Sequence, residues 1–158
     1  NFVEEIEISS DYIKSPSFES VYAITETGGR RAFMNATAYF THEDSFDSVM
    51  GVHDGDLEDY DLEGLVLPNP GVVLVKIQSN RDVYALAENP SNPYAPRLRA
   101  IATEEIAISM YGEQWADYVI DIDPTFFARF AQGGDITSPE TVDLSIMKTR
   151  AELAQLAK

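Results

Sequence analysis

The feature that most constrains the fold is an internal repeat of a short residue pattern. Residues 21–33 read VYAITETGGRRAF, an apolar run followed by a polar turn with two glycines and a second apolar run. Residues 82–101 read DVYALAENPSNPYAPRLRAI, with the same order and a longer turn. Two apolar runs joined by a turn of this kind predict a β-hairpin. The chain is therefore predicted to contain two related hairpins.

The spacing of apolar positions extends this repeat beyond the hairpins. VYAI and VYAL lie 62 residues apart, and RAF and RAI lie 68 apart. Further on the separation is 70, as between Val49 and Val119 or between Val52 and Ile122. A longer second hairpin loop and a slightly longer following helix produce this drift. A pattern that keeps its apolar positions through such insertions indicates a repeated structural unit.

Helix-start signals follow each hairpin. Asn35 and Thr103 are placed to cap a short helix, and Asp123 with the adjacent proline begins another. In the first copy the second helix is predicted within HDGDLEDYDLEG and is expected to end at Gly64. We therefore predict an α+β fold, a tandem duplication of a β-hairpin–helix–strand–helix unit sharing one core.

The predicted organisation has five parts. They are an N-terminal strand segment (1–18), repeat 1 (19–66), a connecting strand (67–82), repeat 2 (83–136) and a C-terminal helical tail (137–158). In the tail, Thr149 and Glu152 have the spacing of a capping box, which predicts a helix carrying Leu153 and Leu156. This helix is either a docking helix or the start of a linker.

The charge of the chain excludes several classes of partner. A net charge of −16 repels nucleic acid and anionic membrane surfaces, and no apolar run approaches the roughly 20 residues that a membrane span needs. The sequence has no cysteine, so it has no disulfides, no thiolate catalysis and no cysteine zinc site. It begins at Asn1, which fits either removal of a signal peptide or a chosen boundary.

The acidic residues invite a calcium interpretation. No lysine or arginine lies between Arg31 and Lys76, and Asp54, Asp56 and Glu58 have the first three spacings of an EF-hand loop. The later positions lack the required glycine and glutamate, so a helix with an acidic first turn explains the segment better. No cofactor is predicted, and calcium binding by these three carboxylates stays a weaker alternative.

The residues do not predict a catalytic site. His42 and His53 both precede carboxylates, but no serine lies in a G-x-S-x-G setting that would supply a nucleophile. Paired carboxylates cannot be chosen among 27 acidic residues without a distinctive context. We therefore expect the chain not to be an enzyme.

Partner-binding candidates come from the loops and the chain ends. Tyr94 and Arg97 lie at the end of the lengthened hairpin loop, which has no counterpart in the first copy. Val3 and Ile6 lie in an acidic strand-like segment at residues 2–8, and Leu153 lies in the tail. Trp115 with Tyr118 offers a sugar-stacking platform, but Trp115 aligns beside Phe46, which favours a core position.

Three segments resemble a known two-copy module. VYAITETGGRRAFMNATAYFTHEDSFDSV, PNPGVVLVKIQSNRDVYAL and LRAIATEEIAISMYGEQWADYVIDIDPTFFARF follow its order and spacing over about residues 9–136. The module is common in predicted exported proteins of uncultivated bacteria and has no established enzymatic activity. Ala100 departs from it, where the pattern has Trp, as does the insertion at residues 89–95. The resemblance implies a secreted or cell-surface setting and a non-catalytic role.

Together these features lead to one functional expectation and one alternative. The expectation is an exported structural or adhesive module of a cell-surface protein, or a subunit of an extracellular assembly such as a filament or surface layer. Its partners would then be copies of itself or other surface proteins. The alternative is a carbohydrate- or cell-wall-binding module, with calcium as a possible aid and polysaccharide as its ligand.

Overall fold

A computed structural model describes residues 8–158 as an α+β fold with two five-stranded sheets and few, short helices. This confirms the α+β part of the predicted fold. The predicted strand at residues 2–8, with Val3 and Ile6, lies almost wholly outside the described residues. No helix in the described part of the chain is long and apolar enough to cross a membrane.

The first sheet is built from the first half of the chain. Its elements in chain order are β1 (Tyr12–Lys14), β2 (Tyr22–Ile24), β3 (Arg30–Phe33), α1 (Ala36–His42), β4 (Val49–Gly51), α2 (Asp54–Glu58) and β5 (Leu62–Val66). The strand order is β4-β1-β2-β3-β5, so β4 and β5 form its edges.

The second sheet is built from the second half. Its elements are β6 (Leu74–Ile77), β7 (Val83–Ala87), β8 (Arg97–Ala100), α3 (Glu104–Tyr111), a 3₁₀ helix (Trp115–Tyr118), β9 (Val119–Ile122), a second 3₁₀ helix (Pro124–Arg129) and β10 (Ala131–Gln132). A third 3₁₀ helix (Leu144–Ile146) and α4 (Arg150–Leu156) form the tail. The strand order is β9-β6-β7-β8-β10, with β9 and β10 at the edges.

The two sheets have the same strand order and the same strand directions. In each, three antiparallel strands form the centre, and the fourth and fifth strands pair in parallel with the first and third. The registers correspond as well: Ile13 faces Tyr22 as Val75 faces Tyr84.

The helix starts agree with the predicted capping residues. The Asn35 side chain accepts from the backbone of Ala38, and the Thr103 side chain accepts from the backbone of Ile106. Thr149 and Glu152 form the predicted capping box at the start of α4. These short polar side chains satisfy amide groups that a first helical turn leaves without partners, and this explains where the helices begin.

Gly64 does not end a helix, so that prediction is wrong. Helix α2 ends at Glu58, and Gly64 lies inside β5 with a φ of +141°. The β3–β5 pairing shifts register between Arg30 and Arg31, opposite this stretch. A glycine tolerates the positive φ that such an irregularity requires, so its role is in the strand.

Each half contains two strands more than the predicted unit. β1 and β6 precede the hairpins, and β5 and β10 follow the second helical segments. The predicted repeats at 19–66 and 83–136 therefore leave out the first strand of each sheet. β6, predicted as a connecting strand, lies within the second sheet between β7 and β9.

The largest buried cluster joins the two halves. It includes Phe40 from α1 and Leu67 from the link between the sheets, packed with β6, β7 and β9. Leu153 of α4 is buried in the same cluster, and Leu156 packs against it. The tail is therefore a docking helix, and the Leu153 side chain is a core residue that is not available to a partner.

Candidate functional site

An apolar groove lies at one end of the first sheet, beside its edge strand β4. Its volume is about 660 Å³. The segment between β1 and β2 supplies Pro16 and Val21, and the β4 region supplies Phe46, Val49 and Val52. The rest of the lining is Lys14, Ser15, Glu19, Gly51 and His53. A concave, largely apolar surface of this size is the usual form of a binding site.

Phe46 forms one wall of the groove and is held in place by aromatic contacts. Its ring packs edge-on against Tyr39 at 4.9 Å and against Phe40 at 4.8 Å, measured between ring centroids. The side chain nevertheless keeps 46% of its surface exposed. A large aromatic ring that is fixed on one side and open on the other is a ready contact for an apolar group.

A second cavity continues the groove toward the start of α1. It has a volume of about 360 Å³ and shares Glu19, Val21 and Phe46 with the first. Phe33 and Met34 contribute further apolar surface. The two cavities share this wall, and we call them together the first-sheet groove.

The electrostatic setting of the groove is acidic. Of the described residues, 8–66 carry 12 acidic and three basic side chains, a net charge of −9, whereas 67–158 carry 12 acidic and eight basic, a net charge of −4. The Lys14 ammonium in the groove wall donates to the carbonyl of Phe18 at 2.7 Å. The half of the molecule that contains the groove therefore dominates the negative field.

The calcium candidates lie on helix α2 and make contacts within the chain. Asp54 accepts hydrogen bonds from the backbone and the hydroxyl of Ser17, which lower the pKa of Asp54. Asp56 accepts from the backbone of His53 at 3.1 Å. Glu58 is exposed at the end of the helix. Residues 8–158 contain no group of three or more metal-ligating side chains.

His42 and His53 lie in different surroundings. The His42 Nε2 atom is 2.8 Å from the carbonyl oxygen of Leu67, and burial lowers the pKa of this histidine below its ordinary value. Its ring packs edge-on against Phe33. His53 lines the groove as the residue before α2. His53 therefore lines the groove and His42 does not, so the two histidines do not share a site there.

Tyr94 and Arg97 lie at the surface in the lengthened second hairpin, as predicted. The Arg31 guanidinium lies 3.8 Å from the centre of the Tyr94 ring, so one ring face already has a partner from the first sheet. Arg31 also donates to the carbonyl of Leu65 at 2.9 Å. The Arg97 Nε atom donates to the carbonyl of Glu88. Both predicted partner residues therefore also support the loop that carries them.

A second exposed apolar feature lies in the tail. Leu144 and Ile146, in the third 3₁₀ helix, keep 46% and 48% of their surfaces exposed. The Asp143 carboxylate caps this turn by accepting from the backbone of Ser145 at 2.9 Å, and buried Met147 anchors its far end. We call residues 144–146 the tail turn.

Sequence reasoning placed neither feature among the predicted partner-binding residues. The alignment of Trp115 with Phe46 favours a core position for Trp115, and Trp115 does pack against the buried cluster that includes Val119. The local sequence EDSFDS places Phe46 among acidic residues and serines, and this polar context indicates an exposed segment. The same signal exists for Leu144, which lies between Asp143 and Ser145.

Comparisons with protein-family models, with curated proteins and with solved structures give no match to this chain. The resemblance to the two-copy exported module stays a prediction that rests on the quoted motifs.

Proposed function

We propose that the chain is a tandem duplication and that it serves as a non-catalytic structural and interaction module outside the cell. The duplication is supported by the equal strand orders and by paired contacts. Lys14 and Lys76 each donate to the carbonyl of the residue four positions later, Phe18 and Asn80. Arg31 and Arg99 likewise donate to the carbonyls of Leu65 and Gly134.

The first-sheet groove is the observation that carries the interaction role. Soluble monomeric proteins rarely leave a fixed aromatic ring exposed at the mouth of an apolar groove unless another molecule covers it. The groove also lies next to β4, an edge strand of three residues. Edge strands are frequent sites of contact between chains, since their outer backbone groups are not paired within the sheet.

The non-catalytic character is supported by what surrounds the titratable groups. Asp54 and Asp56 are the carboxylates nearest His53 in the sequence. Asp54 accepts a hydrogen bond from the backbone of Ser17 in the loop after β1, and Asp56 accepts one from the backbone of His53 at the start of α2. A carboxylate that accepts hydrogen bonds in this way supports the local backbone geometry. These contacts fit structural roles for the groups that sequence reasoning singled out.

The extracellular setting rests on the sequence. The chain resembles exported modules in three motif blocks, and its net charge of −16 favours solubility in salt-rich surroundings. A secreted or cell-surface module with an open apolar groove is suited to assembly with other surface proteins or with copies of itself. A filament or surface layer is the form of assembly that we propose.

The test is the mass of the purified chain in solution. Sedimentation velocity over a wide concentration range, with negative-stain electron microscopy of the same samples, is expected to show growth from monomer to oligomer or polymer. A chain that stays monomeric at every concentration and salt level would remove the assembly role. If such a monomer bound purified cell-wall polysaccharide, the result would instead support the carbohydrate-binding alternative.

A further inference from the structure

We propose that Asn35 is an N-glycosylation site, with a glycan joined to its side-chain nitrogen. Residues Asn35, Ala36 and Thr37 form the acceptor pattern N-x-S/T, in which x is any residue except proline. The inference rests on the proposed extracellular setting, because this modification belongs to the surface of secreted proteins. It goes beyond that function by naming a covalent modification and the atom that carries it.

The fold leaves the acceptor nitrogen of Asn35 available. Asn35 is exposed and is the N-cap of α1, where its Oδ1 atom accepts from the backbone N–H of Ala38 at 2.8 Å. Because a backbone N–H requires an acceptor, this contact identifies the oxygen of the amide and leaves the Nδ2 atom on the other side. Within residues 8–158 no group accepts a hydrogen bond from Nδ2. A sugar on Nδ2 therefore keeps the helix cap intact.

A second asparagine provides the contrast. Asn89, Pro90 and Ser91 have the same outline, but proline in the middle position prevents recognition as an acceptor. The Asn89 Nδ2 atom also donates to the carbonyl of Ala95 at 3.0 Å, and its Oδ1 atom accepts from the backbone of Ser91 at 3.2 Å. Both ends of that amide are used by the second hairpin loop. In the whole sequence, Asn35 is the one asparagine in an acceptor pattern without proline.

The surface beside Asn35 offers polar contacts to a carbohydrate. A cavity of about 200 Å³ borders the asparagine, and its lining includes Thr37, Asp121 of β9 and Arg150 of α4. The side chains of Asp121 and Arg150 are exposed. A carboxylate accepts hydrogen bonds from sugar hydroxyl groups and a guanidinium donates to them. The first sugar of a glycan on Asn35 therefore has both kinds of partner within this cavity.

The position of Asn35 leaves the β4 end of the first-sheet groove open. Asn35 lines the second cavity of the groove, together with Phe33 and Met34. It is not among the residues that line the first cavity, next to β4. A glycan there would stand at the α1 end of the groove, so the modification is compatible with a partner that binds at the β4 end.

The reaction joins Asn35 to a sugar that is carried by a polyprenyl phosphate lipid. The Nδ2 atom forms a bond to the anomeric carbon of the sugar, and the bond from that carbon to the phosphate oxygen breaks. The lipid phosphate leaves with the electron pair of the broken bond, and one Nδ2 proton passes to a base of the transferase. The hydroxyl of Thr37 completes the pattern that the transferase recognises, so it determines whether Asn35 is an acceptor.

Three variants test the site. Thr37→Val removes the hydroxyl and keeps a β-branched side chain, whereas Thr37→Ser keeps the hydroxyl and is the matched control. Asn35→Asp removes the acceptor nitrogen and keeps an oxygen that can cap the helix. Circular dichroism of each variant checks that it is folded.

Mass spectrometry of the chain purified from the cells that naturally produce it is the measurement. We expect the intact mass to exceed the sequence mass by one glycan. The tryptic peptide 32–76, bounded by Arg31 and Lys76, should carry the glycan, and fragmentation should place it at Asn35 and not at Asn69. Produced in the same cells, Thr37→Ser should keep the added mass, whereas Thr37→Val and Asn35→Asp should lose it.

The contrary outcomes are distinguishable from one another. An intact mass equal to that of the sequence would overturn the inference. If this unmodified chain were found outside the cell and self-associated, the proposed function would stand without the glycan. A glycan that Thr37→Val retains, or one attached to another residue, would overturn the assignment to Asn35. An unmodified monomer found inside the cell would remove both proposals.

Discussion

The ammonium group of Lys148 donates a hydrogen bond of 2.6 Å to the carbonyl oxygen of Phe40, 108 residues earlier in the chain. The same group is 2.7 Å from the Asp44 carboxylate and 3.3 Å from the carbonyl of Glu43. The last carbonyl groups of a helix lack partners within that helix, so Lys148 caps the end of α1. This contact ties the tail to the first half of the molecule.

Replacing Lys148 by methionine should therefore lower the free energy of unfolding by about 1.5–3 kcal/mol, the range for hydrogen bonds made by a charged group. Methionine keeps the length of the aliphatic part, so the loss reports the ammonium group. Asp44→Asn is the matched control, because the Asp44 side chain is 87% exposed whereas that of Lys148 is 18% exposed. The control should cost less than about 1 kcal/mol. Urea denaturation that finds equal losses would assign the effect to the ion pair alone.

Local signals in the sequence were sufficient for the hairpins and the helix starts. The caps at Asn35, Thr103 and Thr149 act within three residues of themselves, and the glycine-containing turn of the first hairpin lies where it was predicted. Caps and tight turns are determined by residues that are close in the sequence, so the local sequence is sufficient to predict them. The same holds for the α+β class, which follows from the order of elements.

Long-range pairing was harder to predict. β1 and β5 are short or polar segments, YIK and LEGLV. β1 lies between β2 and β4, and β5 pairs in parallel with β3, so both strands depend on partners that are not adjacent in the sequence. Whether a side chain such as Phe46 is covered also depends on tertiary contacts. The apolar groove and the tail turn are properties of the folded surface. The spacing of residues in the sequence does not predict that the side chains of Phe46 and Leu144 are exposed.

The stability of the protein should depend on pH through His42. Burial lowers the pKa of His42 below 6.5, Lys148 contributes in the same direction, and the Leu67 carbonyl and Glu43 oppose the shift. The unfolded chain then binds a proton near pH 6.5 that the folded protein binds only at lower pH. The free energy of unfolding should therefore fall as the pH drops below about 6.5, until the folded-state pKa is reached.

The variant His42→Gln isolates this contribution. A glutamine amide can donate to the Leu67 carbonyl but does not titrate, so the variant should show a smaller loss of stability between about pH 7.5 and about pH 5.5. Urea denaturation at several pH values measures the difference between the two curves. Parallel curves for the wild type and the variant would assign the acid sensitivity to other groups.

The glycine in β5 should resist substitution. Gly64 has a φ of +141°, and an added Cβ would lie 3.0 Å from the Arg31 Nη1 atom. Gly64→Ala should cost about 1–3 kcal/mol, the range for a residue held in a disfavoured conformation. Gly55→Ala, in open space on α2, should be neutral or stabilising by up to about 1 kcal/mol, because alanine is the better helix former. Equal midpoints in urea for the two variants would contradict this difference.

The contact between Arg31 and Tyr94 should stabilise the lengthened second hairpin against the first sheet. A guanidinium 3.8 Å from the centre of an aromatic ring is a cation–π contact, worth about 0.5–2 kcal/mol according to its exposure. Tyr94→Phe keeps the ring and should leave the free energy of unfolding nearly unchanged, whereas Tyr94→Leu should lower it by that amount. Hydrogen exchange of the amides in residues 89–95 provides a local measurement, and it should become faster in Tyr94→Leu only. Equal exchange in both variants would mean that the loop is held by its own turns, such as the bond from Asn89 to the carbonyl of Ala95.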